Sequence, residues 1–184
     1  MAALVDYFLH IEGVDGESPD QQYNGWIQVQ AWQWAEENAG RWGLGGGGGS
    51  GKVEMKDFEF RMVSNKASPK LFLMCAIGEH IPQAKLVCRK SGQGQQDFLI
   101  VTFSNCLVSS FKTVGNMPLG KGDAVFTDTV LPTDAISLNF ARIEVEYKEQ
   151  QPDGSMGAVI NVTNGAIVIH TQRLKSDPGG NLLS

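Results

Sequence analysis

Residues that commonly build metal and thiol chemistry are scarce in this 184-residue chain, which has only three cysteines and three histidines. Three cysteines leave one unpaired under any disulfide scheme, and the spacing of Cys75, Cys88 and Cys106 matches no zinc or redox motif. We therefore expect three buried thiols in a protein that folds in a reducing compartment. The histidines lie far apart, without ligand spacing, so no metal site is predicted.

The sequence also lacks a long apolar run and an excess of basic residues. No run approaches the roughly 18–20 apolar residues that a membrane-spanning helix needs. Residues 1–10 have no positively charged start and contain Asp6, which argues against a Sec signal peptide. The net charge of −5 and the pI of about 5.2 argue against a nucleic-acid partner. Membrane insertion and nucleic-acid binding are therefore not expected.

Sequence patterns for catalysis are equally few. The chain has no G-x-S-x-G motif for a serine nucleophile. Cys75 lies in an apolar segment without neighbouring basic residues, which predicts an inert thiol. The carboxylate pairs Glu36–Glu37 and Asp57/Glu59 are typical of solvated strand ends. We therefore predict a protein that is not an enzyme, with no catalytic residue and no cofactor.

Glycine is abundant, and "GLGGGGGSGKV" over residues 43–53 nearly matches the nucleotide-binding loop G-x-x-x-x-G-K-[ST]. That loop requires a buried strand before it, a helix after it and a Ser or Thr after the lysine. Here Val53 follows Lys52, and the next residues alternate like a strand. An NTPase is therefore a weak hypothesis, and we interpret the run as a nearly side-chain-free loop between two strands.

Alternating apolar residues recur along most of the chain and are separated by Gly-, Asp- and Asn-rich turns, which indicates a mainly β sandwich or barrel. "WIQVQAWQW" (26–34) shifts phase between Ala31 and Trp32, as at a bulge or in a strand covered on both faces. Another phase shift falls at Asp57. Strands are predicted over 4–13, 26–34, 52–63, 84–90, 97–114 and 135–150, with a hairpin over 158–174 that turns at Asn164–Gly165.

One segment, "SPKLFLMCAIGEH" (68–80), predicts a short helix instead. Ser68 is placed as the N-cap, Pro69 as the first helical residue and Gly78 as the C-terminal stop. The residues between them are apolar on every side, whereas a surface helix has one apolar face. We expect part of this helix to pack on its own domain and part to contact a neighbouring subunit. The side chains divided between these roles are Leu71, Phe72, Leu73 and Ile77.

Several of these stretches together resemble the haemolysin-coregulated protein (Hcp) family, the tube subunit of bacterial type VI secretion. The matching segments, in the family's order, are "VDGES" with "WIQVQAWQW", "GGGGGSGKVEMKDFEF", "ASPKLFLMCAIGEH", "LVSS" and "ISLNFARIEVEYKEQ". The resemblance covers about residues 5–157 of a predicted single domain over 1–184. Residues 158–184 are predicted to form the C-terminal strand or strands and a tail.

The resemblance implies a small β-barrel of two antiparallel sheets with one short flanking helix. It also implies six-subunit rings that stack into a hollow tube and carry effector proteins in the lumen. The tube would be driven by a sheath, together with spike-tip proteins, and exported from the bacterial cytoplasm to the extracellular space or a target cell without a signal peptide. In such a tube, the neutral amides predicted to face the lumen and contact effectors are Gln28, Gln30 and Gln33.

A second hypothesis is a ligand-binding β-barrel. Its pocket for a sugar or an apolar ligand would be lined by Trp26, Trp32, Trp34 and Trp42. Tryptophans on β-rich segments are, however, more often core or interface anchors. Ring formation would separate the tube subunit from this alternative.

Overall fold

A computed structural model describes residues 5–38, 53–91, 95–115, 131–151 and 156–163. These residues contain ten strands and one helix. In chain order they are β1 (Val5–Ile11), β2 (Ile27–Val29), β3 (Ala31–Gln33), β4 (Glu36–Asn38), β5 (Val53–Met55), β6 (Phe58–Val63), α1 (Ser68–Ile77), β7 (His80–Lys90), β8 (Gln96–Val114), β9 (Thr133–Gln150) and β10 (Met156–Thr163).

The main sheet curves into a nearly closed barrel. Its hydrogen-bonded order is β2-β1-β7-β8-β9-β6-β3, with β10 added to β9, and every pairing is antiparallel. The strands at its two ends, β2 and β3, are consecutive in the chain and are separated only by Gln30. The Gln30 N–H donates to the carbonyl oxygen of Arg61 at 2.8 Å, which holds this corner against β6. The chain itself therefore joins the two ends of the sheet.

The predicted barrel of two antiparallel sheets with one short helix is confirmed. The second sheet is small, since it consists only of the ribbon β4–β5. The predicted strand over 26–34 is two strands, and the break lies at Gln30, one residue before the predicted phase shift. At this point the chain leaves the β1 edge and joins the β6 edge, so the apolar phase changes because the partner strand changes.

The core lies on the inner face of the sheet, where cross-strand neighbours form apolar rows. One row runs through Trp32, Phe60, Ile136 and Phe111, and a second runs through Leu9, Leu86 and Val101. Phe60, Leu9, Leu86 and Val101 are fully buried. Stacked and tilted rings around Phe58 and Phe103 fill the centre, with the two ring centroids 4.4 Å apart.

A second, smaller core lies on the outer face of β1 and β7, under the loop that joins β1 to β2. Phe8 and Val87 pack there beneath Tyr23. The Arg89 guanidinium donates to both carboxylate oxygens of Asp20 and lies 4.8 Å from the centre of the Phe8 ring. Arg89 is nearly fully buried, so this bidentate pair anchors the loop onto the barrel wall.

The helix lies where it was predicted, but it begins one residue earlier than predicted. Ala67, not Ser68, occupies the N-cap position and makes no side-chain cap bond. Ser68 is the first helical residue, and its hydroxyl donates to Asp134 and accepts a hydrogen bond from the Asn65 N–H. Pro69 is therefore the second helical residue rather than the first. The predicted stop is confirmed, since Gly78 has a φ of +65°, in the left-handed region.

Two strand predictions near the helix and the C-terminus need adjustment. Strand β7 begins at His80 rather than at residue 84, since the chain pairs with β8 as soon as it leaves the helix turn. Pro82 and Gln83 interrupt the alternation there, which hides the start of the strand in the sequence. Strand β10 is the first arm of the hairpin predicted over 158–174, and the predicted turn and second arm lie outside the described residues.

Candidate assembly and channel surfaces

Helix α1 buries one side and exposes an apolar side. Leu71 and Met74 are buried in the barrel core. Phe72, Leu73 and Ile77, called here the helix face, are 61%, 48% and 61% exposed. At 100° per residue these three project to one side of the helix together with Pro69 and Ala76, which are also exposed. The exposed side of α1 is therefore continuous apolar surface.

The base of the helix is fixed by a buried carboxylate. Asp134, at the start of β9, is 1% exposed and accepts hydrogen bonds from the hydroxyls of Ser64, Ser68 and Thr113. These donors come from the end of β6, the first residue of α1 and the end of β8. The carboxylate also lies at the helix N-terminus, where the helix dipole favours a negative charge. This arrangement ties the first turn of α1 to the ends of β6 and β8 and to the start of β9.

Of the four residues predicted for a subunit contact, the structure places Leu71 in the core and the other three on the surface. Phe72 also packs edge-on against Phe111 of β8, with ring centroids 5.8 Å apart. Its ring is thereby held in place while most of it remains exposed. Phe72, Leu73 and Ile77 remain the predicted contact residues.

Gln33 lies in a polar groove on the outer face of the barrel. The groove has a volume of about 320 Å³ and crosses β3, β6, β9 and β8. Two cross-strand rows form it: Gln33, Glu59, Ser137 and Ser110, and beside them Ala31, Arg61, Ala135 and Lys112. The Gln33 side-chain amide donates to a Glu59 carboxylate oxygen at 2.6 Å. Glu59 and Arg61 thus lie on the middle strand β6, the small residues Ser137 and Ala135 lie beside them on β9, and Lys112 lies at the β8 end.

Gln28 and Gln30 lie in a different cleft. Both are exposed, and they line a space of about 410 Å³ with the loop residues Glu17 and Ser18 and with the end of β6. Gln28 pairs with β1, whereas Gln33 pairs with β6, because the chain changes partner at Gln30. The three glutamines predicted to face a lumen therefore occupy two separate surfaces.

The tryptophans within the described residues act mainly as packing groups. Trp32 and Trp34 are half-buried against the main core, and Trp26 packs against the outer core. Trp42 lies outside the described residues. Trp26, Trp32 and Trp34 therefore do not line a common pocket. The pocket lining that the ligand-binding hypothesis requires is not found among the described residues.

The glycine run of residues 43–52 also lies outside the described residues. The residues that follow it are strand β5, which pairs antiparallel with β4. A nucleotide-binding loop would instead be followed by a helix whose N-terminus holds the phosphates. The interpretation of the run as a loop between two strands stays a prediction.

The buried cysteine thiols have shifted pKa values that fit a packing role rather than a catalytic one. Burial raises the pKa of the Cys88 thiol to about 12 and that of Cys106 to about 11, so both stay protonated and unreactive at neutral pH. Cys75 is half-buried, and all three cysteines are free thiols.

Hydrogen bonds from Arg89 hold the pKa of Asp20 at about 2. Among the described residues, no cluster of His, Cys, Asp or Glu has the composition of a metal site.

Sequence analysis missed Asp134 and the Arg89–Asp20 pair, the two polar groups that position the helix and the long loop. Both depend on contacts between residues more than 60 positions apart in the chain. The only local signal was the turn chemistry around Asp20, whose carboxylate also accepts hydrogen bonds from the N–H groups of Gln22 and Tyr23.

The α1 helix, the only one in the described part of the chain, is too short to cross a bilayer.

These features define a class of protein: a small β-barrel whose described surface offers an apolar helix face and shallow polar clefts. Comparisons with known proteins give the family. The family model described as "Type VI secretion system effector, Hcp" matches residues 8–147. The chain is 40% identical over 152 residues to Protein hcp1 of Pseudomonas aeruginosa, covering 82% of this chain and 88% of that protein.

Solved structures agree with this result. The structure titled "Structure of a type six secretion system protein" matches with a TM-score of 0.76 and 25% identity, over 85% of this chain and 92% of the other. Hcp1 from Salmonella typhimurium matches with a TM-score of 0.63 and 29% identity, over 88% and 92% of the two chains. The chain belongs to the Hcp family of type VI secretion proteins, a family of structural secretion components rather than of enzymes.

Proposed function

We propose that this protein is a tube subunit of a type VI secretion machine and assembles into six-membered rings that stack into a hollow tube. The observation that carries the proposal is the helix face, a continuous exposed apolar surface on a chain of this family. Monomeric proteins rarely leave large apolar side chains grouped on the surface. A neighbouring subunit would remove this surface from water and thereby stabilise the ring.

The proposed tube carries effector proteins in its lumen, and the polar groove around Gln33 is the proposed lumen surface. The small residues Ser137 and Ala135 on β9 leave room for a protein surface, and the charges in the groove, Glu59, Arg61 and Lys112, are of both signs. Such a surface binds varied partners weakly, because it imposes no single-sign field. The proposed export route leads out of the bacterial cytoplasm and depends on the sheath and spike-tip proteins of the machine. The proposed subunit is a single domain over residues 1–184.

Charge substitutions at two neighbouring leucines test the helix contact. Leu73→Glu places a charge on the helix face, so we expect a folded monomer, since burying an unpaired charge costs several kcal/mol. Leu71→Glu places the same charge in the core and is expected to unfold the chain. Size-exclusion chromatography with light scattering, together with circular dichroism, distinguishes the two outcomes.

Leu73→Met is the matched control, because it keeps an apolar side chain of similar volume and should keep the ring. Phe72→Glu and Ile77→Glu extend the test across the helix face. If all three glutamate variants of the helix face form rings like the unmodified protein, then α1 is not the subunit contact.

A further inference from the structure

The loop that joins β1 to β2, residues 12–26 and called here the strap, carries the dipeptide Asn24–Gly25 in an exposed turn. An asparagine followed by glycine is prone to lose its side-chain amide as ammonia, because glycine has no side chain that keeps its backbone nitrogen away from the asparagine. Among the described asparagines only Asn24 precedes a glycine; the others are Asn38, Asn65, Asn105, Asn139 and Asn161. Asn24 is therefore the described asparagine at which this reaction is expected first.

The fold of the strap requires glycine at this position. Gly25 has a φ of +74°, in the left-handed region that other L-residues adopt only with strain. Its N–H donates to the carbonyl oxygen of Ser18 at 3.0 Å, and its own carbonyl oxygen accepts from the Gly16 N–H at 2.7 Å. A Cβ at Gly16 would lie 2.3 Å from the carbonyl oxygen of Trp26, so this close approach needs glycine as well. The turn thus places a labile pair in the sequence and at the same time engages its reacting nitrogen.

The nucleophile of the reaction is the backbone nitrogen of Gly25. This nitrogen forms a bond to the side-chain carbonyl carbon of Asn24, the bond from that carbon to the side-chain nitrogen breaks, and ammonia leaves with the hydrogen of the Gly25 N–H. Water then opens the resulting ring at either carbonyl and gives aspartate or isoaspartate. Both the loss of this hydrogen and the rotation of the peptide toward the Asn24 side chain break the bond to Ser18. The reaction therefore requires the strap to open.

Opening of the strap is opposed by contacts directly before Asn24. Asp20 is held by the Arg89 guanidinium and also accepts a hydrogen bond from the Tyr23 N–H. Tyr23 is buried in the outer core, and its hydroxyl donates to Asp97. The Asn24 side chain, in contrast, is exposed and makes no hydrogen bond to another described residue. The strap is thus pinned at Tyr23, while the amide that would react is not held.

We propose that Asn24 is a deamidation site that the closed strap keeps unreactive, and that its conversion to isoaspartate leaves the strap open. Isoaspartate adds one methylene to the backbone directly before Gly25. This addition displaces the Gly25 N–H from Ser18 and the Gly25 carbonyl from Gly16, the two bonds that close the turn. Because the ammonia is lost to solvent, the change is one-way, from a strap that covers the outer core to one that does not.

Peptide mass mapping of the full chain, incubated at mildly alkaline pH, tests the protection. The rate at Asn24 should follow the open fraction of the strap. Asp20→Asn removes the partner of Arg89 and should raise that rate by about tenfold or more. Gln21→Ala, at an exposed position of the strap, is the matched control and should leave the rate unchanged. In urea, Asn24 and Asn164, which also precedes a glycine, should react at similar rates and define the unprotected rate.

Three outcomes of this experiment would overturn the protection. Equal rates at Asn24 in the folded and the urea-unfolded chain would show that the strap does not protect it. A rate in Asp20→Asn no higher than in Gln21→Ala would show that the Arg89 pin does not control opening. Gly78→Ala weakens the fold at the helix, far along the chain from the strap, and should not accelerate the reaction. Acceleration by Gly78→Ala would mean that Asn24 reacts through global unfolding.

Hydrogen exchange tests whether isoaspartate leaves the strap open. Deamidated chains, separated by ion-exchange chromatography, should have lost the protection of the Gly25 N–H and of the Trp26 N–H, which donates to Tyr23 in the closed strap. Asn24→Gln, incubated for the same time, is the control and should keep this protection, because glutamine would have to close a larger ring. Isoaspartate chains that exchange as slowly as the unmodified protein would overturn the release.

Discussion

At the scale of single residues, a buried ion pair holds the long loop between β1 and β2 on the barrel. Arg89 makes two hydrogen bonds to Asp20 and stacks beside the Phe8 and Tyr23 rings. Removing one partner of such a pair costs more than the pair itself contributes, because it leaves a buried charge without its counter-ion. The pair is therefore a point at which a single polar substitution should destabilise the fold.

Asp20→Asn is predicted to destabilise the fold by about 3 kcal/mol at neutral pH. The pKa of Asp20 is lowered from 3.8 to about 2, so the stabilisation is present above pH 4 and is lost as the pH falls toward 2. Urea unfolding of both proteins in the Leu73→Glu background, across this pH range, measures the difference in free energy. The difference should shrink on acidification, and a difference independent of pH would contradict the assignment. Asp15→Asn, at an exposed position of the same loop, should change stability by less than about 0.5 kcal/mol.

Gln33→Arg is predicted to leave the fold and the ring intact while reducing the amount of effector that co-purifies. The arginine can pair with Glu59, which already accepts a hydrogen bond from Gln33, so the fold loses little. It nevertheless adds bulk and charge to the polar groove. Gln28→Arg makes the same change in the other cleft. Pull-downs with the two variants show which cleft faces the lumen, and unchanged recovery in both would remove both clefts from it.

At the scale of elements, the apolar pattern of the sequence was sufficient to predict most strands and the helix. The segment 58–63 alternates strictly, and its inward residues Phe58, Phe60 and Met62 are fully buried. Predictions failed where the chain changes partner, as at Gln30, because periodicity reports burial and not the identity of the neighbouring strand. The start of α1 was misplaced because Ser68 bonds to Asp134, 66 residues away.

The candidate surfaces were only partly predictable for the same reason. The all-round apolar composition of α1 indicated that some side chains remain exposed, and Phe72, Leu73 and Ile77 are exposed. Which side of the helix faces the core depends on how Asp134 and the ends of β6 and β8 hold its first turn. The polar groove around Gln33 combines residues from four strands, and no local pattern joins them.

Gly78→Ala is predicted to destabilise the fold by about 1–2 kcal/mol through backbone strain alone. Gly78 has a φ of +65°, which costs an L-residue about that much, and a Cβ placed there meets no atom within 4 Å. Gly115→Ala is the matched control, because it also has open space but no positive φ. Urea denaturation of both variants should show a loss only for Gly78→Ala. Equal effects would mean that the left-handed C-cap does not limit the helix.

At the scale of the whole molecule, the described residues form a barrel with one exposed apolar helix face and two separate clefts. The helix face is exposed in the single chain, and a neighbouring subunit is its proposed cover. The polar groove and the glutamine-lined cleft then remain available for the lumen or for contacts between rings.

The native mass of the purified protein tests the central claim of ring assembly most directly. The chain has a mass of 20.0 kDa, so a six-membered ring has a mass of about 120 kDa. Native mass spectrometry at micromolar concentration and physiological ionic strength should show this species, and Leu73→Glu should show the single chain. A single chain in the unmodified protein under the same conditions would contradict the account.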